Sequence, residues 1–224
     1  MGRPRILDLF CGAGGCAVGY HRAGFDVVGV DHRPQPSYPF EFVQGDALEY
    51  VVAHGHEFDA IHASPPCQRY SIATKVHGQE KAATHPDLVL PCRELLNSSG
   101  LPWVMENVVG APLDNPVMLC GTMFGLRVFR HRLFESNVFL MTPPHPKHNG
   151  STGSHRGYSR GETGPGGRNG YVCVAGHNFV REAGAKAMGI DWMSKDELNE
   201  AIPPAYSRFI ALASPAFNRI EVSA

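Results

Sequence analysis

A chain of 224 residues, 43% hydrophobic and 18% charged, is an ordinary globular mix, and one core with an appendage is expected rather than two equal domains. A formal net charge of −1 excludes a protein that coats nucleic acid through bulk positive charge, so any basic contacts must be gathered locally. No apolar run is long enough for a bilayer, and "MGRPRILDLF" lacks the features of a signal peptide, so a cytoplasmic protein with its six cysteines mostly reduced is expected.

In chain order, "RILDLF" predicts a short buried strand ending in a glycine cluster, and "CAVGYHRAG" a helix stopped by Gly24. "FDVVGVD" predicts a second strand ending on Asp31, and "FEFVQGD" a third, followed by a short helix over "ALEYVVAHG". "FDAIHAS" is a fourth strand that runs into "PPCQRYS". "THPDLVLPCRELLNSSG" has a helical pattern in which Pro91 should give a kink or the true start, and "PWVMENV" is a fifth strand. Strands separated by helices imply a parallel sheet covered on both faces, with ligands at the carboxyl ends of the strands. Gly12, Asp31, Asp46, Cys67 and Glu106 each follow or end a strand.

The first turn, "DLFCGAGGCA", satisfies G-x-G-x-x-G/A with Gly12, Gly14 and Ala17, and Asp31 ends the next strand. Such glycines admit a ligand close to the backbone, and a carboxylate at that place accepts hydrogen bonds from ribose hydroxyls. A nicotinamide cofactor and S-adenosylmethionine both carry an adenosine, so the turn alone leaves the choice open. Asp46 follows the third strand, where it could reach an adenine amino group.

The second half of the site breaks that tie. "PPCQ" and "ENV" have no role in hydride transfer, but they suit attack on a pyrimidine. A thiolate adding to carbon 6 of cytosine makes carbon 5 an enamine-like nucleophile toward a sulfonium methyl group. A carboxyl group facing ring nitrogen 3 relieves the charge that builds there. Cys67 is the expected nucleophile and Glu106 the acid, with a raised pKa so that it holds a proton near neutrality.

With these motifs in order the sequence resembles the DNA cytosine-5 methyltransferases, and within them a compact, phage-like member. "DLFCGAGG", "VDHRP" and "GDA" are similar to the family's first motifs, "PPCQRYS" to its catalytic motif and "ENV" to its glutamate motif. "FRHRLFE" resembles the arginine motif, and "VREAGAKAMGIDWM" with "EAIPPAYSRFI" the closing motifs. The resemblance implies an α/β fold: a doubly wound, mostly parallel sheet of the S-adenosylmethionine-dependent, Rossmann-like type with a small irregular target-recognition insert. Residues 1–134 and 179–224 would form the catalytic domain and 135–178 the insert. Phe10, Gly12, Ala13, Gly14, Asp31, His32, Asp46, Ala47, Pro66, Glu200 and Ala201 would surround S-adenosylmethionine, with S-adenosylhomocysteine as product. Cys67, Glu106, Arg130 and Arg132 would surround a flipped cytosine. Gln68, Ser71 and Lys75 of a mobile loop, with Arg156, Arg160 and Arg168, would meet double-stranded DNA. The same chemistry on RNA, or an inactive DNA-binding descendant, are the alternatives. A monomer is expected.

Two departures stand out. The insert is short and largely "GSTGSHRGYSRGETGPGGRNG", a flexible linker or a DNA-contacting loop by composition. "NEAIPP" places Glu200 where the family has an asparagine; that carboxylate would accept from the cofactor's amino group or turn outward. No metal site is expected: His145 and His148 in "HPKHN", grouped with Cys173 and His177, lack a paired Cys-x-x-Cys. Trp103 and Trp192 are expected in the core, and Cys11, Cys16, Cys92 and Cys120 as small buried hydrophobes.

Overall fold

The computed structural model describes residues 2–70, 86–148, 171–175 and 179–218. Strands and helices alternate as the patterning requires: β1 (Arg5–Leu9), α1 (Gly15–Arg22), β2 (Asp26–Asp31), β3 (Glu41–Gln44), α2 (Ala47–His54), β4 (Ala60–Ala63), α3 (Val89–Ser98) and β5 (Trp103–Asn107). Strands β4 and β5 are buried at every position, and β1 and β2 at all but their first. That is the pattern of parallel strands covered on both faces. Pro91 falls in the first turn of α3, where its missing N–H would have had no partner anyway.

Seven strands form one sheet in the order β3-β2-β1-β4-β5-β7-β6, with β6 at Val117–Leu119 and β7 at Arg132–Ser136. The first five are parallel, whereas β7 runs antiparallel to both β5 and β6. This reversal positions the site. Asn107 at the carboxyl end of β5 pairs with Leu133 near the amino end of β7. Arg132, the first residue of β7, therefore arrives at the rim where the parallel strands end.

Helices α4 (Arg181–Met188), α5 (Lys195–Glu200), α6 (Pro204–Ala213) and α7 (Pro215–Asn218) close the described chain. Helix α6 lies against α1 at glycine distance: a Cβ on Gly19 would sit 1.9 Å from Ser207 Oγ and 2.2 Å from the Pro204 carbonyl oxygen. Ser207 Oγ donates to the Cys16 carbonyl at 2.8 Å across the same contact. One apolar cluster joins Ile6, Val104 and Phe134 to Tyr20 and Tyr206 of α1 and α6. A second joins Leu7, Leu9, Ile61 and Met105 to Val51 of α2 and Cys92 and Leu96 of α3. Alternate residues of β1 thus feed opposite faces, which is the doubly wound arrangement. Trp103 lies in the second cluster, as expected.

Helix α3 is fastened to β7 by charge. Arg93 grips the buried Glu135 with two hydrogen bonds, Nε to Oε1 at 2.6 Å and a terminal nitrogen to Oε2 at 2.7 Å. A third cluster gathers Ala13, Val128, Val172, Val174, Phe179, Met188 and Leu198, so the residues around 172–174 pack with the closing helices and the first turn.

Candidate active site

The cysteine loop follows β4, and its shape is held by its neighbour strand. Buried Asn107 Nδ2 donates to the Pro65 carbonyl at 3.0 Å, tying the end of β5 to the residue two before Cys67. The Tyr70 amide donates to the Cys67 carbonyl at 2.9 Å, closing a turn over the cysteine. The Tyr70 hydroxyl donates to Asp87, so the chain re-enters the described structure beside the point where it left. Cys67 is half-buried and Gln68 exposed.

Glu106 is buried on β5, and Arg132 Nε lies 3.1 Å from its Oε1. The contact is an ion pair, not an aligned hydrogen bond, since Oε1 has no hydrogen-bond partner among the described residues. Glu106 pairs in register with Phe134, so Arg132 projects on the same face of the sheet as the carboxyl group. Burial pushes the Glu106 carboxyl above its ordinary value, against the pull of Arg132, Arg130 and the Ser64 hydroxyl. Burial and the Glu106 charge likewise push the Cys67 thiol up, opposed by Arg132 and Arg130.

Arg130 is placed differently from its partner. Its guanidinium donates to the carbonyls of Ala201 at 2.9 Å, Val174 at 2.7 Å and Asn199 at 2.7 Å, and its backbone has φ of 42°. All three nitrogens face main-chain oxygens, so Arg130 staples the main chain at residues 174, 199 and 201 to the rim. Of the two arginines expected beside the base, Arg132 alone contacts Glu106 among the described residues.

Behind Glu106 runs a polar line that sequence reading missed. Fully buried His62 lies 3.0 Å from the Tyr20 hydroxyl through Nδ1 and 3.1 Å from Ser64 Oγ through Nε2. A histidine inside an otherwise apolar strand was the available signal.

Of the residues expected around the cofactor, Phe10 to Gly14, Asp31, His32, Asp46 and Ala47 lie at the ends of β1 to β3. Phe10 has φ of 56° and Gly12 of 48°, and a Cβ on Gly12 would meet nothing within 4 Å, so the turn is open above it. Gly14, with φ of 83°, caps α1 and leaves no room for a Cβ against Pro39 at 2.8 Å. Asp31 is nearly buried and organises this rim: Oδ2 accepts from the Gly12 amide at 3.1 Å and Oδ1 from the Arg33 amide at 3.0 Å. His32 is exposed, with Nδ1 3.3 Å from Asp31 Oδ1. Asp46 caps α2, accepting from the Leu48 and Glu49 amides at 2.8 and 3.0 Å through Oδ1, and Ala47 is buried behind it. Pro66 is half-buried in the cysteine loop. Glu200 turns outward to Arg33 at 3.5 Å, and the Ala201 carbonyl accepts from Arg130. Trp192, half-buried against the third cluster, donates from its indole to the Ala13 carbonyl at 2.9 Å and so ties the closing segment to the first turn.

Ser71, Lys75, Arg156, Arg160, Arg168 and His177 lie outside the described residues. His145 and His148 do not join Cys173: they meet Cys120 and His131 at the edge of the sheet. Cys120 is buried as expected, but its sulfur is 3.1 Å from the Thr122 hydroxyl and 3.6 Å from His148 Nε2.

This sheet, with a cysteine loop, a buried glutamate and an arginine at one rim, has the methyltransferase fold. A family model described as C-5 cytosine-specific DNA methylase matches residues 4–113. The type II methyltransferase M.HgiGI of Herpetosiphon aurantiacus is 30% identical over 124 residues, covering 49% of this chain and 94% of that one. The chain belongs to the C-5 cytosine-specific DNA methylase family. The type II methyltransferase M.AquIA of Picosynechococcus is 32% identical over 126 residues, 47% of this chain and 49% of that one, so the chain spans about half the length of that relative. The crystal structure of a candidate DNA modification methyltransferase from an Escherichia coli prophage superposes with a TM-score of 0.60 at 14% identity, covering 92% of this chain and 97% of that one. At that identity the likeness is one of fold.

Proposed function

We propose that the protein methylates carbon 5 of cytosine in double-stranded DNA, with S-adenosylmethionine as donor and Cys67 as covalent nucleophile. The observation that carries this reading is the burial of Glu106 beside Arg132, within electrostatic reach of Cys67. An ionised Glu106 opposes a thiolate at Cys67, whereas a neutral one leaves the thiolate to the two arginines. The productive state is therefore thiolate Cys67 with protonated Glu106. The Cys67 sulfur bonds to carbon 6, and the displaced ring electrons are met at nitrogen 3 by the Glu106 proton. Carbon 5 then takes the methyl group. Water takes the carbon 5 proton, the electrons of that bond re-form the ring double bond and expel the Cys67 thiolate from carbon 6, and nitrogen 3 returns its proton to Glu106. Arg132 holds the carboxyl in place and faces the same substrate edge. Arg130 acts by positioning, through the closing segment it fastens.

The first rim suits an adenosine-bearing donor. The open turn at Gly12 admits a ligand to the backbone, and each oxygen of Asp31 keeps a lone pair for ribose hydroxyls after its one amide contact. When bound, the donor supplies an electrophilic methyl group. Phe10, Asp31, His32, Asp46 and Pro66 would line it.

Duplex DNA carrying 5-fluorocytosine tests the proposal, because fluorine at carbon 5 blocks elimination. The wild-type protein should be trapped covalently and Cys67→Ser should not, since an alcohol cannot supply the anion at neutral pH. Turnover of ordinary DNA without trapping would overturn the covalent route. Transfer of label to RNA alone would move the substrate class, and no transfer to either would favour a DNA-binding descendant.

A further inference from the structure

We propose that Cys120, His131, His145 and His148 form a four-ligand site for a zinc-type transition-metal ion that fastens the start of the insert to the edge of the sheet. The four ligand atoms lie within 4.8 Å of one another. They come from three separate places in the chain: the residue after β6, the residue before β7, and the segment that follows β7.

Three of the six ligand separations are close to those of a tetrahedron, and the remaining three lie within 4.8 Å. With metal–nitrogen bonds of about 2.0–2.1 Å and a metal–sulfur bond of about 2.3 Å, neighbouring nitrogens should stand about 3.3 Å apart and nitrogen and sulfur about 3.6 Å. His131 Nε2 is 3.0 Å from both His145 Nε2 and His148 Nε2, and Cys120 Sγ is 3.6 Å from His148 Nε2. Hydrogen bonding among the histidines does not account for this convergence. A neutral imidazole carries one N–H, so the proton on His131 Nε2, if there, can serve one neighbour and not both. Three protonated rings would repel one another. A cation at the common point satisfies all three nitrogen lone pairs and a thiolate together.

Thiolate with imidazoles selects zinc-type ions over magnesium or calcium. Four protein ligands leave no open position, so the site is structural and not catalytic. Its ligands are well placed to matter. Phe129 stacks on the His148 ring at 3.9 Å between centroids and walls one side. The His131 carbonyl accepts from Arg132 at 2.9 Å, so fixing His131 also fixes the main chain between the two rim arginines. His145 and His148 stand immediately before the Gly/Ser/Arg-rich stretch, which would then spring from an anchored point.

The test uses the full chain, purified without a metal-affinity tag from zinc-supplemented culture. Elemental analysis should find about one zinc ion per chain, as a single four-ligand site requires. After removal by a chelator, cobalt(II) should give the intense visible bands of a tetrahedral site and a thiolate charge-transfer band. Cys120→Ser should lose the charge-transfer band and Cys173→Ser should keep it. His145→Ala, at an exposed position, should weaken zinc affinity by more than the roughly 10–100-fold that loss of an outer-shell partner costs. A wild-type protein that holds little zinc and gives only the weak spectrum of octahedral cobalt would overturn the proposal. So would a charge-transfer band that survives Cys120→Ser or disappears in Cys173→Ser.

Discussion

Asn107 donates to the Pro65 carbonyl at 3.0 Å, and both groups are buried. One side chain thus joins the strand that carries Glu106 to the loop that carries Cys67. Its amide oxygen accepts from the Val108 amide at 2.9 Å, so the carboxamide is fixed at both ends. Asn107→Ala should cost about 1–3 kcal/mol, the penalty for leaving a buried carbonyl without a partner. It should also lower kcat while the KM for the methyl donor changes little, because the donor rim lies on other strands. Urea unfolding and steady-state kinetics check both; an unchanged kcat would mean that the prolines and the Cys67–Tyr70 turn hold the loop without Asn107.

Arg132 lowers the pKa of both Glu106 and Cys67. Catalysis as proposed needs the acid protonated and the thiol ionised, which gives a bell-shaped profile. Arg132→Gln removes the charge and lets both groups rise. Both limbs of kcat/KM against pH should then move alkaline together, on top of a lower maximum. A shift confined to one limb would separate the two groups.

The Arg93–Glu135 pair carries a stability prediction. Glu135 is 4% exposed and also accepts from the Asp114 amide at 2.8 Å. Arg93→Ala strands its charge and should cost about 3–5 kcal/mol. Replacing both with methionine should recover most of that loss, since a buried pair is no better than well-packed apolar groups. Recovery should stop short of complete, because the Asp114 amide still lacks its acceptor. Thermal unfolding of the three variants measures it.

The ends of β1, β2, β4 and β5, and with them the places of Gly12, Asp31, Cys67 and Glu106, were legible because these strands are buried, and a buried strand announces itself by β-branched and aliphatic runs. The β6–β7 pair was not. Val117–Leu119 is three residues long, and β7 is interrupted by Arg132 and Glu135, whose charges are satisfied only across the fold. Nothing local to Arg130 announces that the carbonyls of residues 174, 199 and 201 converge on its guanidinium. The histidine cluster was misgrouped for the same reason. His145 and His148 are close in sequence, but the antiparallel turn that brings His131 and Cys120 to them is a tertiary fact.

His62 offers a test by pH. It is fully buried, and burial pushes its pKa from 6.5 down to about 3. The unfolded chain takes up this proton as pH falls through 6.5, whereas the folded chain does not until about 3. The contribution is therefore complete above the unfolded pKa and is lost as pH falls below it, by about 1.4 kcal/mol per pH unit. Glu106 and Asp8 are buried acids with raised pKa values and act with the opposite sign, so the wild-type curve alone would mix them. The difference between wild type and His62→Asn isolates the histidine. Measured by urea unfolding, that difference should be flat above neutrality and should shrink by about 1.4 kcal/mol for each unit of acidification below the ordinary histidine value. The Ser64 hydroxyl, which lies against His62 and helps to hold Glu106, should lose its orientation in the same variant, so the acid limb of the activity profile should move to higher pH as Glu106 rises. A stability difference that stays constant on acidification would mean that folded His62 accepts its proton at the ordinary value, and that the line from Tyr20 to Glu106 is open to water.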